Sequence, residues 1–291
     1  MNLFDLGYLV GGVALAPVWA RKRRSGWDER FGRIGGMLRR PDRGLPRVVL
    51  HAVSVGETSA CRALVPLLAE HAEVIVSATT DTGLARARSL YGSCCDVVRT
   101  PLDFSWSVRR FLDATRPDVL GLVELEVWPN MVRACKARGV PVGVINGRLS
   151  ERSFRGYRRA RGLIGPTFRR LDFAAVQDDT YAGRFRAMGV PAERVRVTGS
   201  MKWDAVGVSA GPVRTPEALA LGEAMGLDPG RPIVVAGSTA PGEEALLHAA
   251  VPPGAQLVCA PRKPEWFDQA AAAMPGSARR SAGRAPAGTE R

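Results

Sequence analysis

From Pro46 to Thr198 short apolar runs alternate with longer stretches of helical periodicity, and few architectures accept that alternation. The runs at 48–53, 73–78, 118–125 and 140–146 are rich in Val, Ile and Leu and read as strands. Weaker strands are predicted at 96–102, 172–177 and 194–198. Helical patterns occupy 57–70, 81–91, 105–115, 129–138, 150–170 and 179–188 between them. Pro66 falls inside the first of these and predicts a kink. Strands that alternate with helices imply a parallel sheet covered on both faces, hence an α/β, doubly wound fold.

Residues 206–216 are rich in Gly, Pro, Val and Ser and read as a linker. The alternation then restarts with a strand at 232–237, a helix at 243–250 and a strand at 256–260. A further unit begins at Pro264, and 277–291 is Arg, Ala, Gly and Pro without periodicity, read as a disordered tail. The expected organisation is an N-terminal Rossmann-like domain over 27–205 and a partial second one over 217–276. Two strands are few for a sheet covered on both faces, so the second domain reads as incomplete.

The N-terminal segment 1–26 has a different character. Leu6 to Ala20 carries no charge, and Arg21, Lys22, Arg23 and Arg24 follow at once. As a helix it spans roughly 22 Å at 1.5 Å per residue, against a hydrocarbon core of about 30 Å. Asp5 is costly inside a bilayer. The segment reads as a membrane anchor or an interfacial helix, with a buried helix of the soluble domain as the alternative. The basic cluster suits an anionic cytoplasmic membrane face.

Net charge is +13, carried mainly by Arg, which favours anionic partners and forks well onto phosphate. No basic–aromatic interleaving accompanies it, so no nucleic-acid partner is expected. The five cysteines show no CxxC spacing and the three histidines lie far apart, so neither a disulfide framework nor a metal site is expected. Neither GxGxxG nor GxxxxGK[ST] occurs, which argues against the commonest dinucleotide and P-loop readings.

In open parallel sheets ligands bind beyond the carboxyl ends of the strands, and the candidate motifs follow strands. Ser54-Val55-Gly56-Glu57 follows the first, with Gly56 predicted to allow a tight turn and Glu57 to open a helix near its positive end. Glu57 is equally readable as a carboxylate that stabilises its own helix. Glu124-Leu125-Glu126-Val127-Trp128-Pro129-Asn130 ends another strand, and extended geometry predicts Glu124 and Glu126 on one face. Lys202 lies in Gly199-Ser200-Met201-Lys202-Trp203-Asp204, just before the linker. Gly237-Ser238-Thr239 places small residues before a helix, as a phosphate cradle would. Pro261-Arg262-Lys263 supplies cations after the last strand.

Taken in order, these segments resemble the 3-deoxy-D-manno-octulosonic acid (Kdo) transferase family. Arg30-Phe31-Gly32, His51 to Glu57, Thr79 to Gly83, Pro101-Leu102-Asp103, Glu124 to Asn130, Asn146-Gly147-Arg148, Gly199 to Asp204, Ala236 to Thr239 and Ala260-Pro261-Arg262 carry the match. The resemblance implies a GT-B-like fold of two Rossmann-like domains. It also implies Kdo transfer from CMP-Kdo to a lipid A precursor on the cytoplasmic side of the inner membrane, inverting and without metal or other cofactor. It implies Glu57 as general base, Glu124 and Lys202 as transition-state stabilisers, and Ser54, Gly56, Ser238, Thr239, Pro261 and Arg262 on the substrate side. The sequence departs from the family at Ala240, where His is usual, and at Ser200, where Asn is usual. The family's later CMP-binding segments do not occur, so the expectation is a chain cut short inside its second domain. The alternative function is a membrane-associated remnant that binds anionic glycolipid without turnover.

Overall fold

The structure, a computed structural model, describes residues 2–20, 26–34, 36, 38, 44–204 and 216–280. The basic cluster at 21–24, nearly all of the linker and the tail beyond 280 lie outside these residues. The chain divides into two compact units, Met1–Val208 and Ser209–Arg291.

The first unit carries seven strands: β1 (Arg47–His51), β2 (Glu73–Ala78), β3 (Asp96–Arg99), β4 (Val119–Val123), β5 (Val142–Gly147), β6 (Phe173–Val176) and β7 (Val195–Val197). They form one parallel sheet in the order β3-β2-β1-β4-β5-β6-β7. Order reverses between β1 and β4, so a crevice opens at their carboxyl ends. Val49, Ile75, Leu120 and Leu122 enter one buried cluster, while Leu50, Val74, Val76 and Val123 enter another. That division follows from the two-residue period of a strand and explains why these runs are apolar without interruption. Gly121 faces Leu50, whose Cδ2 would lie 2.7 Å from an added Cβ.

Two expected helices divide in the structure, and one helix is added. The stretch 57–70 forms two helices, Val55–Ala60 and Leu64–Ala69. The break precedes Pro66, which thereby sits in a first turn where its missing N–H costs little. The stretch 150–170 likewise divides at Ala160 into Glu151–Arg159 and Arg161–Arg169. A helix at Pro216–Ala224, unmarked in the sequence pattern, precedes the strands of the second unit.

The N-terminal helix Leu3–Ala20 is held by polar contacts. Asp5 is fully buried and accepts hydrogen bonds from Ser105 N (2.8 Å), Ser105 Oγ (2.7 Å) and Asn130 Nδ2 (3.1 Å). Tyr8 Oη donates to Asp103 Oδ2 at 2.9 Å. Asp103 also accepts from Asn130 N and Met131 N, capping the helix Pro129–Ala137. The motif residues Asp103 and Asn130 are thus committed to docking one helix on the starts of two others. Leu3, Leu6, Leu9 and Val10 remain exposed. Among the described residues no helix is long and apolar enough to cross a membrane.

In the second unit β8 (Ile233–Thr239) and β9 (Gln256–Pro261) pair in parallel. The helix Glu243–Ala250 connects them, and Phe267–Ala273 comes after β9. Ile233, Val234 and Val235 are exposed, Val235 by 68%. Arg279 is ion-paired to Asp268, which ties down the first residues of the expected tail.

Candidate active site

The loops after β1 and β4 place three carboxyl groups at the point where strand order reverses. Glu57 lies in the first turn of Val55–Ala60. Ser54 caps that turn, and its hydroxyl donates to Glu57 Oε1 at 2.9 Å. Val53 N donates to Glu57 Oε2 at 2.7 Å. This resembles a capping box, with the N–H of Val53, one residue before the cap, in place of the cap's own, so the helix-stabilising reading of Glu57 holds alongside the catalytic one. It also locks the orientation of the carboxyl group. Burial pushes the Glu57 pKa up, the Val53 and Ser54 hydrogen bonds oppose it, and the charge of Glu124 adds to the rise. The net upward shift brings the group nearer to what a general base at neutral pH requires.

Gly56 differs from expectation. It lies within the helix, and an added Cβ would meet only Ser54 Oγ, at 3.8 Å. The close approach occurs at Gly83 instead, where an added Cβ would meet Thr80 Oγ1 at 2.7 Å and Val53 O at 2.9 Å. The glycine that lets this loop pack therefore belongs to the neighbouring motif.

The expectation that Glu124 and Glu126 share a face through extended geometry is overturned. β4 ends at Val123, and Glu124 turns into the left-handed region at φ 59°. Such a conformation is costly for a side chain of this type and is characteristic of functional turns. Glu126 still senses its neighbours. Burial raises its pKa to about 7, with further contributions from the charges of Glu57 and Glu124, against a hydrogen bond from Trp128 Nε1 at 2.7 Å. His51 Nε2 lies 4.0 Å from Glu126 Oε2. Its Nδ1 lies 2.8 Å from Thr100 Oγ1, and burial lowers the His51 pKa to about 4, so the ring is neutral near pH 7.

A stability prediction rests on Glu126, whose side chain is only 21% exposed. Its folded pKa lies above the unfolded value, so the folded state binds the extra proton between about pH 4.5 and 7. Stability should fall as pH rises through that window. Glu126→Gln should remove much of this slope and raise stability at pH 8 by roughly 2 kcal/mol. Urea unfolding at pH 5 and pH 8 measures it. Asp103, which burial raises to about 7, leaves a residual slope of the same sign.

Lys202 is exposed in the turn after β7, beside Met201, whose N–H is held by Asn146 Oδ1 at 3.1 Å. The sequence pattern does not reveal this role of Asn146, although Asn-Gly at a strand end is a recognised left-handed signal. Arg30 and Asp81, both from motif segments, join one cluster with Arg99: both arginines donate to Thr79 O at 3.3 Å, and Arg99 pairs with Asp81 at 2.7 Å.

In the second unit, considered by itself, Ser238 bulges out of β8 at φ 63° and accepts from Arg262 Nε at 3.0 Å. Pro261 ends β9, and Arg262 N donates to Thr239 O. Thr239 is buried, and its hydroxyl donates to Glu244 Oε1 at 2.8 Å. That hydroxyl is therefore engaged inside the unit, whereas Ser238 and Arg262 lie at the surface. Among the described residues no group of three or more His, Cys, Asp or Glu is placed to hold a metal ion.

A doubly wound sheet with its acidic loops at the reversal point, followed by a second strand–helix–strand unit, defines a GT-B-like α/β protein. Solved structures agree on the fold. UDP-GlcNAc 2-epimerase from Neisseria meningitidis, bound to UDP-GlcNAc, is 14% identical with a TM-score of 0.57, over 78% of this chain and 69% of that one. A putative UDP-N-acetylglucosamine 2-epimerase from Listeria monocytogenes is 16% identical with a TM-score of 0.55, over 81% and 68%.

Sequence relatives identify the family. A family model described as 3-deoxy-D-manno-octulosonic-acid transferase matches residues 25–205. The 3-deoxy-D-manno-octulosonic acid transferase of Bordetella pertussis is 36% identical over 95% of this chain and 69% of its own length. The Haemophilus influenzae protein of the same name is 29% identical over 88% of this chain and 60% of its own length. This chain belongs to the Kdo transferase family. It spans between about three fifths and two thirds of those two relatives.

Proposed function

We propose that the chain moves Kdo from CMP-Kdo to a lipid A precursor, with inversion and without a metal ion. The observation that carries this reading is Glu57, a carboxyl with a raised pKa, held in one orientation by Val53 N and Ser54 Oγ at the reversal of strand order. Its carboxylate takes the proton of the acceptor hydroxyl as that oxygen bonds to the anomeric carbon. The bond from that carbon to the phosphate oxygen breaks, and CMP leaves with the electron pair. Glu124 and Lys202 stabilise charge in the transition state. Ser238, Pro261 and Arg262 provide the donor side, where a guanidinium suits the leaving phosphate. Ser54, Gly56 and Thr239 belong to the same reading by their positions in the motifs. We also place the chain at the cytoplasmic face of the inner membrane. The exposed Leu3, Leu6, Leu9 and Val10, beside the docked Asp5 and Tyr8, support an interfacial helix.

The test is transfer of Kdo from CMP-Kdo to a lipid A precursor in lipid micelles. Product formation supports the reading, and its absence with a folded chain overturns it. The exposed apolar strand β8 and Leu246, 72% exposed, favour a second reading, in which the chain binds glycolipid without turnover. Binding of the acceptor without product would select that one.

A further inference from the structure

We propose that Asn146 is the positioning residue for Lys202, holding the turn in which that lysine stands. That Lys202 acts in transfer rests on the function proposed above; that Asn146 holds its turn does not.

Two adjacent residues at the end of β5 have different requirements. β5 bulges before it ends: Val144 pairs with Ala174 and Gly147 with Val176, so one extra residue is accommodated on β5. Bulges of this kind re-aim a side chain at the edge of a site. Asn146 occupies the bulge at φ 53°, the left-handed region where glycine has no steric cost. The glycine stands one place later, at Gly147, where an added Cβ would meet Val176 Cγ1 at 2.7 Å. Close packing therefore accounts for the glycine, and the left-handed position is given to a residue with a side chain.

That side chain has a definite engagement. Asn146 is 1% exposed, and its Oδ1 accepts from Met201 N at 3.1 Å, across 55 residues of sequence. Only the amide oxygen can serve there, because the partner is a backbone N–H, which fixes the amide's orientation. Gln177 Nε2 donates to Asn146 O at 3.1 Å, so the bulge is supported from the end of β6 as well. Asn146 Nδ2 is buried and finds no partner among the described residues. Such an arrangement is poor as a stability device and understandable where one oxygen must be placed.

The turn it holds is otherwise lightly tied. Lys202 N lies 3.4 Å from Ser200 Oγ, and Trp203 N donates to Ser200 O at 3.1 Å. The side chain of Met201 packs on the cluster that includes Leu50, Ala52 and Val123, the last residue before Glu124. Met201 is thus pinned twice, by its side chain to the core and by its N–H to Asn146. Lys202, the next residue, inherits its position from that pin. The bulge also adjoins Glu124, since Glu124 N donates to Ile145 O at 3.0 Å. One strand end therefore registers both charged groups assigned to transition-state stabilisation.

Three variants separate geometry from hydrogen bonding. Asn146→Gly suits the left-handed backbone and removes the acceptor. Asn146→Asp keeps an acceptor oxygen and tolerates the same backbone. Asn146→Ala disturbs both. With Asn146→Gly, hydrogen exchange at the Met201 amide should rise about tenfold, on the scale of one lost hydrogen bond. Acylation of Lys202 by a water-soluble amine reagent should change, while that of Lys136 stays as in the unmodified chain. Asn146→Asp should restore both readouts. In the transfer assay, kcat should fall about tenfold for Asn146→Gly with acceptor KM nearly unchanged, the pattern of an interaction used in the transition state. Unchanged exchange and labelling in Asn146→Gly overturn the proposal. So do changes in both readouts in Asn146→Asp as large as those in Asn146→Gly. Altered exchange and labelling, in a chain that shows no transfer before mutation, would uphold the positioning role and remove the transferase reading instead.

Discussion

Glu57→Gln is expected to lower Kdo transfer by about 10²–10⁴-fold while leaving the fold intact. The choice of glutamine matters because Glu57 has two functions in this structure. Its carboxyl braces the helix start by accepting from Val53 N and Ser54 Oγ. A glutamine oxygen can still accept from Val53 N, so most of the cap survives and the unfolding midpoint should move little. Glutamine cannot accept the proton of an acceptor hydroxyl. Loss of transfer with unchanged stability would therefore assign the proton to Glu57. A substitution to alanine removes the base together with the carboxyl half of the cap, leaving Ser54 in place, and should cost up to about 1 kcal/mol of stability in addition. Retained transfer in Glu57→Gln would show that another group takes the proton, with Glu126, also raised by burial, the next to test.

The second large effect is expected far from the candidate active site. Asp5→Ala should release the N-terminal helix and destabilise its attachment by about 2–4 kcal/mol. Asp5 Oδ1 accepts from Ser105 N, the first residue of the helix Ser105–Thr115, whose own N-cap Phe104 offers no side-chain acceptor. A carboxylate one hundred residues distant thus caps this helix and meets its positive end. Its removal leaves the N–H and hydroxyl of Ser105 and the amide of Asn130 without that acceptor. Limited proteolysis within the first 26 residues, compared with cleavage elsewhere, would detect the release. Burial alone would push the Asp5 pKa up, but the hydrogen bonds from Ser105 and Asn2 outweigh it and hold the group below its ordinary value. The attachment should be fully present above the ordinary carboxylate range and weaken as pH falls through the lowered value. In Asp5→Ala that acid dependence should disappear.

Several features are legible in the amino-acid sequence, each for a reason that acts locally. Uninterrupted Val, Ile and Leu runs require strands buried on both faces. The small, polar and acidic residues after them, at 54–57 and 124–130, mark loops at strand carboxyl ends.

Other features depend on where the chain returns to itself. The hydropathy of the N-terminal segment suggests a membrane, yet Asp5 is solvated by Ser105 and Asn130, which sequence cannot bring near it. Period-two reasoning puts Glu124 and Glu126 on one face, but β4 stops at Val123 and the left-handed turn at Glu124 re-aims the residues after it. Gly56 has the sequence context of a tight turn, but it is Gly83, from the next motif, that lets the loop pack.

The sequence by itself determined the parallel doubly wound class and the family, because periodicity and ordered motifs act over a few residues at a time. Only the tertiary structure decided that β1 and β4 are neighbours, that the charge of Glu124 helps raise Glu57 and both of them help raise Glu126, and that Asn146 reaches Met201. Those relations arise from strand order and loop closure, and desolvation then raises Glu57 and Glu126 in ways that no residue type specifies alone.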